Sequence, residues 1–95
     1  MEKLQNLQLK VDFMVQGKSI VAYSSALDIS TVGKNREEAK KRFVELVNIF
    51  FEELIEAGTL NDVLKELGWK KNRQSWSPPK IVSTIPLSIL VPSMV

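Results

Sequence analysis

Apolar and polar residues alternate at the start of the chain. Leu7, Leu9, Val11, Phe13 and Val15 interleave with Gln8, Lys10, Asp12 and Met14. Period two over nine residues predicts a strand with one buried face. Gln16-Gly17-Lys18 supplies a turn, and Ser19 to Ser24 reads as the returning strand of a hairpin. Residues 25 to 28 form a bend. Ile29 to Val32 reads as a third short strand, closed by Gly33.

The period then changes. Ala39, Phe43, Leu46, Val47, Phe50, Leu54 and Ile55 recur at helical spacing, an apolar stripe over about five turns. Asn35 is placed to cap this helix, with Glu38 three residues on, as in a capping box. Glu37 and Glu38 suit the positive end of the helix dipole. Glu37 with Lys41, and Glu38 with Arg42, are i,i+4 pairs. Gly58 ends the helix. Thr59 is placed to cap a shorter helix with Leu60, Val63, Leu64 and Leu67 on its apolar face, stopped by Gly68.

A basic connector, KKNRQSWSPP, follows. Alternation then returns, with Ile81, Ser83, Ile85, Leu87, Ile89 and Val91 on one side. This predicts a last strand. Pro86 has no N–H for a ladder, so the strand belongs at an edge or carries a bulge.

These elements predict one α+β domain over residues 1–95, in the order strand, strand, strand, helix, short helix, strand. Its small, mainly antiparallel sheet has three to four strands, with the long helix on one face. The core runs over 7–58, the short helix and basic connector over 59–80, and the C-terminal edge strand over 81–92. A single long helix covers one face only. The opposite face of the first strand (Gln8, Lys10, Asp12, Met14) is therefore wet or an interaction surface.

Composition narrows the chemistry. At 95 residues, the chain builds one modest core. It contains neither cysteine nor histidine, which excludes disulfides, thiolate chemistry, the usual zinc sites and His-dependent triads. A formal net charge of +2 is too small to imply nucleic-acid binding by itself. The opening MEKLQNLQLK is too polar for a signal peptide. Ile81 to Val91 is too short and interrupted to span a bilayer. A cytoplasmic protein with no membrane association and no cofactor is expected.

An ordered set of residues supplies a more specific expectation. Ala22-Tyr23 lies on the second strand, and Leu27-Asp28-Ile29 on the bend. Ser30-Thr31 with Gly33 forms the third strand, and Glu37-Glu38-Ala39 opens the helix. Over roughly residues 7 to 56 this arrangement resembles the HicB-like family, the antitoxin half of a bacterial toxin–antitoxin pair. The family commonly has threonine at the helix cap, where Asn35 stands here. It also has a cysteine or similar, then Pro-Glu, after the strand aromatic, where Ser24-Ser25-Ala26 stands here. TLNDVLKELGW and Trp76-Ser77-Pro78-Pro79 look like extensions seen in some members. The resemblance implies a degenerate RNase H-like sheet. It also implies a function of binding and sterically neutralising a small RNase toxin, and assembly into dimers or higher even oligomers. Full antitoxins of the family usually append a DNA-binding module. This chain ends at Val95, so no such module is expected, and the chain reads as an antitoxin or a stand-alone relative. Most motif positions also serve a plain scaffold, since Ala22, Gly33 and Ala39 are packing and turn positions.

Three surfaces are candidates for partners. From Glu45 to Glu66 the chain carries six carboxylates (Glu45, Glu52, Glu53, Glu56, Asp62, Glu66) against Lys65 alone, a local net charge of −5. A small basic toxin fits such a face, which is otherwise a solvated helix surface. Ile85, Leu87 and Ile89 on the apolar C-terminal strand are candidates for homodimerisation through an uncovered sheet edge. The connector combines Lys70, Lys71, Arg73 and Lys80 with Trp69 and Trp76. Basic residues with aromatics also suit single-stranded nucleic acid, although tryptophans near a helix end usually pack on the core. The rival readings are a nucleic-acid-binding module using the connector or open sheet face, and a structural oligomerisation domain. A metal-dependent nuclease needs several converging carboxylates, and the sheet offers only Asp12 and Asp28. No catalytic, cofactor-binding or metal-ligating residue is assigned.

Overall fold

The computed structural model describes residues 6–73 and 75–93. The opening of the N-terminal segment, Gln74 of the connector and the last two residues lie outside them.

Of the first alternating segment only the end forms a strand, β1 (Asp12–Gln16), because β2 offers partners from Tyr23 back to Ser19 and residues 7–11 lie beyond that ladder; the returning segment forms β2 (Ser19–Ser24). They pair antiparallel from Asp12↔Tyr23 to Gln16↔Ser19. Gly17 sits at the first position of the two-residue turn with φ 61°, a backbone angle that glycine adopts without steric cost. The third strand, β3 (Ile29–Gly33), pairs antiparallel with β2 from Ser24↔Ile29 to Ile20↔Gly33. The sheet order is β1-β2-β3, with β2 central.

The long helix α1 (Arg36–Ala57) begins as its capping residues require. Asn35 Oδ1 accepts from the Glu38 N–H at 2.8 Å. Glu38 Oε1 accepts from the Lys34 N–H at 2.9 Å, reaching the residue before the cap. At the other end Gly58 adopts φ 71°, its N–H bonds to the Ile55 carbonyl, and the Thr59 N–H bonds to Leu54. This is the Schellman arrangement, which satisfies carbonyls the helix leaves open. The short helix α2 (Leu60–Glu66) stops in the same way at Gly68. Thr59 precedes α2 but makes no side-chain cap hydrogen bond. Of the two expected i,i+4 pairs, only Glu38–Arg42 closes, at 3.5 Å, so Glu37–Lys41 is corrected to two separately solvated side chains. Ile55, expected on the buried stripe, is half exposed, because the stripe turns away from the core in the last turn.

Two apolar clusters hold the layers together. Ala22, Ala39 and Phe43 are buried between sheet and helix, with Val11, Phe13 and Ile20 against them. Leu27, Leu64 and Trp69 form a second centre with Leu7, Leu9, Phe50, Leu60 and Trp76. Ile29 and Val47 belong to both and join them. Burying side chains of this size contributes roughly 1.5–3 kcal/mol each.

The expected order of an α+β domain is observed: three antiparallel strands, a long helix, a short helix, then β-structure. The final β-structure lies elsewhere than expected. Within the expected connector, β4 (Lys70–Asn72) pairs antiparallel with β5 (Ser75–Ser77). The turn after β4 places Arg73 at φ 59°, and Ser75 Oγ donates to the Asn72 carbonyl at 3.2 Å. Residues 81–92, read as an edge strand, form no strand, helix or turn. A strand requires a ladder partner, and none of the strands among the described residues pairs with them. The segment stands off the body. The radius of gyration is 16.3 Å, against about 12 Å for a compact chain of this length.

Candidate partner-binding surfaces

The alternation of side chains across the sheet sorts the motif positions. The register puts Phe13, Ala22 and Thr31 in one row toward α1, with Ser24 in the same set. Ala22 is fully buried there. Gly33 closes β3 directly under the first turn of α1. A Cβ at this position would run into the Ala39 backbone nitrogen and stand 2.8 Å from Ala39 Cα. Gly33, Glu38 and Ala39 therefore form one strand-to-helix junction: a missing side chain, a cap and a small residue. Leu27 is buried in the second cluster. Ser24 is also fully buried, and its Oγ has no hydrogen-bond partner among the described residues.

Tyr23 points to the other side of the sheet, in the row Asp12–Tyr23–Ser30. Its hydroxyl donates to Asp28 Oδ1 at 3.2 Å. Asp28 holds φ 54°, a left-handed conformation that aspartate tolerates better than most residues. The Asp28 acceptor, some desolvation, and the charges of Asp28 and Asp12 raise the Tyr23 phenol above its ordinary value of 10.0. The two sheet carboxylates thus flank one phenol. Among the described residues no group of three or more Asp or Glu is placed to hold a metal. Next to this row lies Met14–Val21–Val32, an apolar row on the face that α1 does not cover, with Met14 and Val32 exposed.

The acidic positions lie where the helical period puts them. Glu45, Glu52 and Glu56 recur at i, i+7 and i+11 on the outer face of α1, and Glu53 lies alongside. All four are exposed and make no ion pair among the described residues. Ile49 falls on the same stripe at i+4 and is 51% exposed. Glu56 is in the last turn of α1, and Glu52 and Glu53 are in the turn before it. No basic residue occupies that last turn. This pattern opposes the helix dipole, whose C-terminal end favours cations.

The basic segment is divided by the fold. Trp69 is buried, and its indole N–H donates to the Ala26 carbonyl at 2.8 Å, fixing the hairpin to the domain. Trp76 is partly buried in the same cluster, with the Lys71 ammonium 5.7 Å from its ring centroid. Lys70, Lys71 and Arg73 are exposed on β4 and its turn. Lys80 stands apart beyond Pro79. One of the two aromatics proposed for base stacking is therefore committed to the core.

Ile85, Leu87 and Ile89 lie on the projecting segment, 65%, 72% and 72% exposed. A further surface was not read from the sequence. Val11 and Phe13 on one side, and Glu37, Lys40, Phe43 and Val44 on the other, line an open groove of about 320 Å3 between the β1 edge and α1. Arg36 stacks over the Phe13 ring at 5.0 Å and forms one wall. Its signal in the sequence was Val44, an apolar residue outside the helix stripe. No helix among the described residues is long and apolar enough to cross a membrane. No protein-family model, curated protein or solved structure matches the chain.

Proposed function

We propose that this chain is a protein-binding module of the HicB-like kind, an antitoxin or stand-alone relative. It acts in the cytoplasm and holds a small basic RNase toxin on the outer face of α1. One observation carries the reading. A stripe of carboxylates without an ion pair among the described residues, Glu45, Glu52 and Glu56 with Glu53 beside it, runs past the exposed Ile49 to the last turn of the helix, where Glu56 opposes the dipole. Fold stability gives no reason for that placement. A cationic partner does: it offsets the charge, and Ile49 adds an apolar contact at the centre of the patch. The resemblance carried by Ala22-Tyr23, Leu27-Asp28, Thr31, Gly33 and Glu38-Ala39 supports the same class of function. Inhibition is steric and stoichiometric, and no step of it uses a cofactor.

The test is capture from native lysate on the tagged chain, with mass identification of what co-purifies. The expected result is a small basic protein in stoichiometric amount. It cleaves RNA alone, stops when this chain is added, and is released by raised salt. A partner that is acidic, or whose RNA cleavage continues in the complex, overturns the reading.

A further inference from the structure

The segment after β5 is an unusual surface for a protein to leave in water. From Ile81 to Val91 it carries seven large apolar residues, all well exposed, with Leu90 wholly so. It has no turn or bend, and its backbone is in no ladder. Pro78 and Pro79 precede it. Their fixed φ favours an extended exit from the body, and Pro79 is the point nearest Gly68. The domain itself ends in two open sheet edges, because β2 is central. The two edges differ. On β3, the Arg42 guanidinium donates to the Val32 carbonyl at 3.0 Å, so this side is covered by α1 and its side chain. On β1 nothing comparable is present among the described residues, and the edge opens into the groove lined by Val11, Phe13, Phe43 and Val44.

We propose that residues 81–91 of one copy add as a strand beside β1 of a second copy, and reciprocally, giving a strand-exchanged dimer. The arm's pattern fits that edge. In a strand, alternate residues share both a side-chain face and the edge toward which their N–H groups point. Ile85, Leu87 and Ile89 then face the groove and bond to β1 together. Pro86 falls on the other parity, where its missing N–H faces the free edge and costs no ladder bond. Eleven extended residues span about 36 Å, more than enough to run the full length of β1, whose five residues span about 17 Å. The occupant is a second copy because, within the single chain, the arm forms no ladder with β1, which pairs only with β2 among the described residues, and its apolar side chains stay exposed. Arm, β1 and groove walls together bring roughly 20 residues per copy, which is what a standard stable interface uses. This dimer leaves the acidic face of α1 open and does not depend on a toxin partner.

The experiment is sedimentation equilibrium of the full chain and two single variants, with far-UV circular dichroism to verify the fold. Leu87→Asp changes the arm, and Val44→Asp changes the groove. Both sites are exposed, so neither substitution disturbs the core. The expected result is twice the 10.8 kDa chain mass for the wild type, with dimerisation weakened about tenfold or more by either variant. A wild-type monomer at high concentration overturns the proposal, including one whose arm folds onto its own β1. So does a dimer that survives Leu87→Asp. A dimer lost with Leu87→Asp but unchanged by Val44→Asp places the arm elsewhere and also overturns it.

Discussion

Single residues carry the junctions of this domain, and their roles follow from what each side chain meets. Gly33 is needed for lack of space rather than for backbone freedom. A methyl group there meets the backbone of Glu38 and Ala39, which has no rotamer to move into. Gly33→Ala is expected to cost about 1–3 kcal/mol, the usual range for overpacking. In a domain of this size each kcal/mol lowers Tm by about 4–8 °C, so a thermal melt reads the effect directly. Tyr23 offers a second test because it is the only tyrosine. Its phenol donates to Asp28, which raises its titration above 10.0. The folded state holds this proton more tightly than the unfolded chain. The resulting stabilisation is therefore present below pH 10 and is lost as pH rises through the higher folded value. Phenolate absorbance should titrate later in the folded protein than in denaturant, and Asp28→Ala should remove most of the difference.

At the scale of elements, the sequence was most legible where local chemistry and tertiary packing agree. The hairpin turn, the second and third strands and α1 lie where alternation, Gly17, Asn35 and Gly58 placed them, whereas the first strand is confined to Asp12–Gln16 because its alternation at 7–11 has no ladder partner among the described residues. Their turn and cap residues act within a few positions of themselves. The β4–β5 hairpin was not legible. Its strands are three residues long and largely polar, and they have no alternation to detect. What anchors it is long-range: Trp69 bonding to Ala26 across 43 positions. The C-terminal segment failed in the opposite direction. It has a strand's alternation, but a strand exists only with a partner, and no strand among the described residues pairs with it. The acidic positions on α1 were legible as charges, whereas Ile49 within the stripe required the helix phase. On the proposed reading, that stripe sets stability against binding. Glu56→Lys places a cation in the last turn and is expected to raise stability by roughly 0.3–1 kcal/mol at low salt. The same change should weaken the partner complex. A denaturation midpoint that moves up while capture falls is the signature of a charge kept for recognition.

For the molecule as a whole, the fold separates its surfaces. One face of the sheet is spent on α1. The second cluster fastens α2 and the hairpin to the end of the domain, and the proline pair carries an apolar arm away from it. The outer face of α1 and the β1 edge are left open, the first being the face proposed for a basic protein and the second the edge proposed for a second copy. Two independent surfaces on a small domain allow a dimer to present two acidic faces, which doubles the sites available to a partner without enlarging either interface.

The most direct test compares capture from native lysate by the wild-type chain and by Glu45→Lys/Glu52→Lys/Glu56→Lys, at equal loading and verified fold. The account predicts a stoichiometric small basic protein on the wild type and its loss from the variant. Equal capture of that protein by both chains would contradict it, because the acidic stripe would then contribute nothing to recognition.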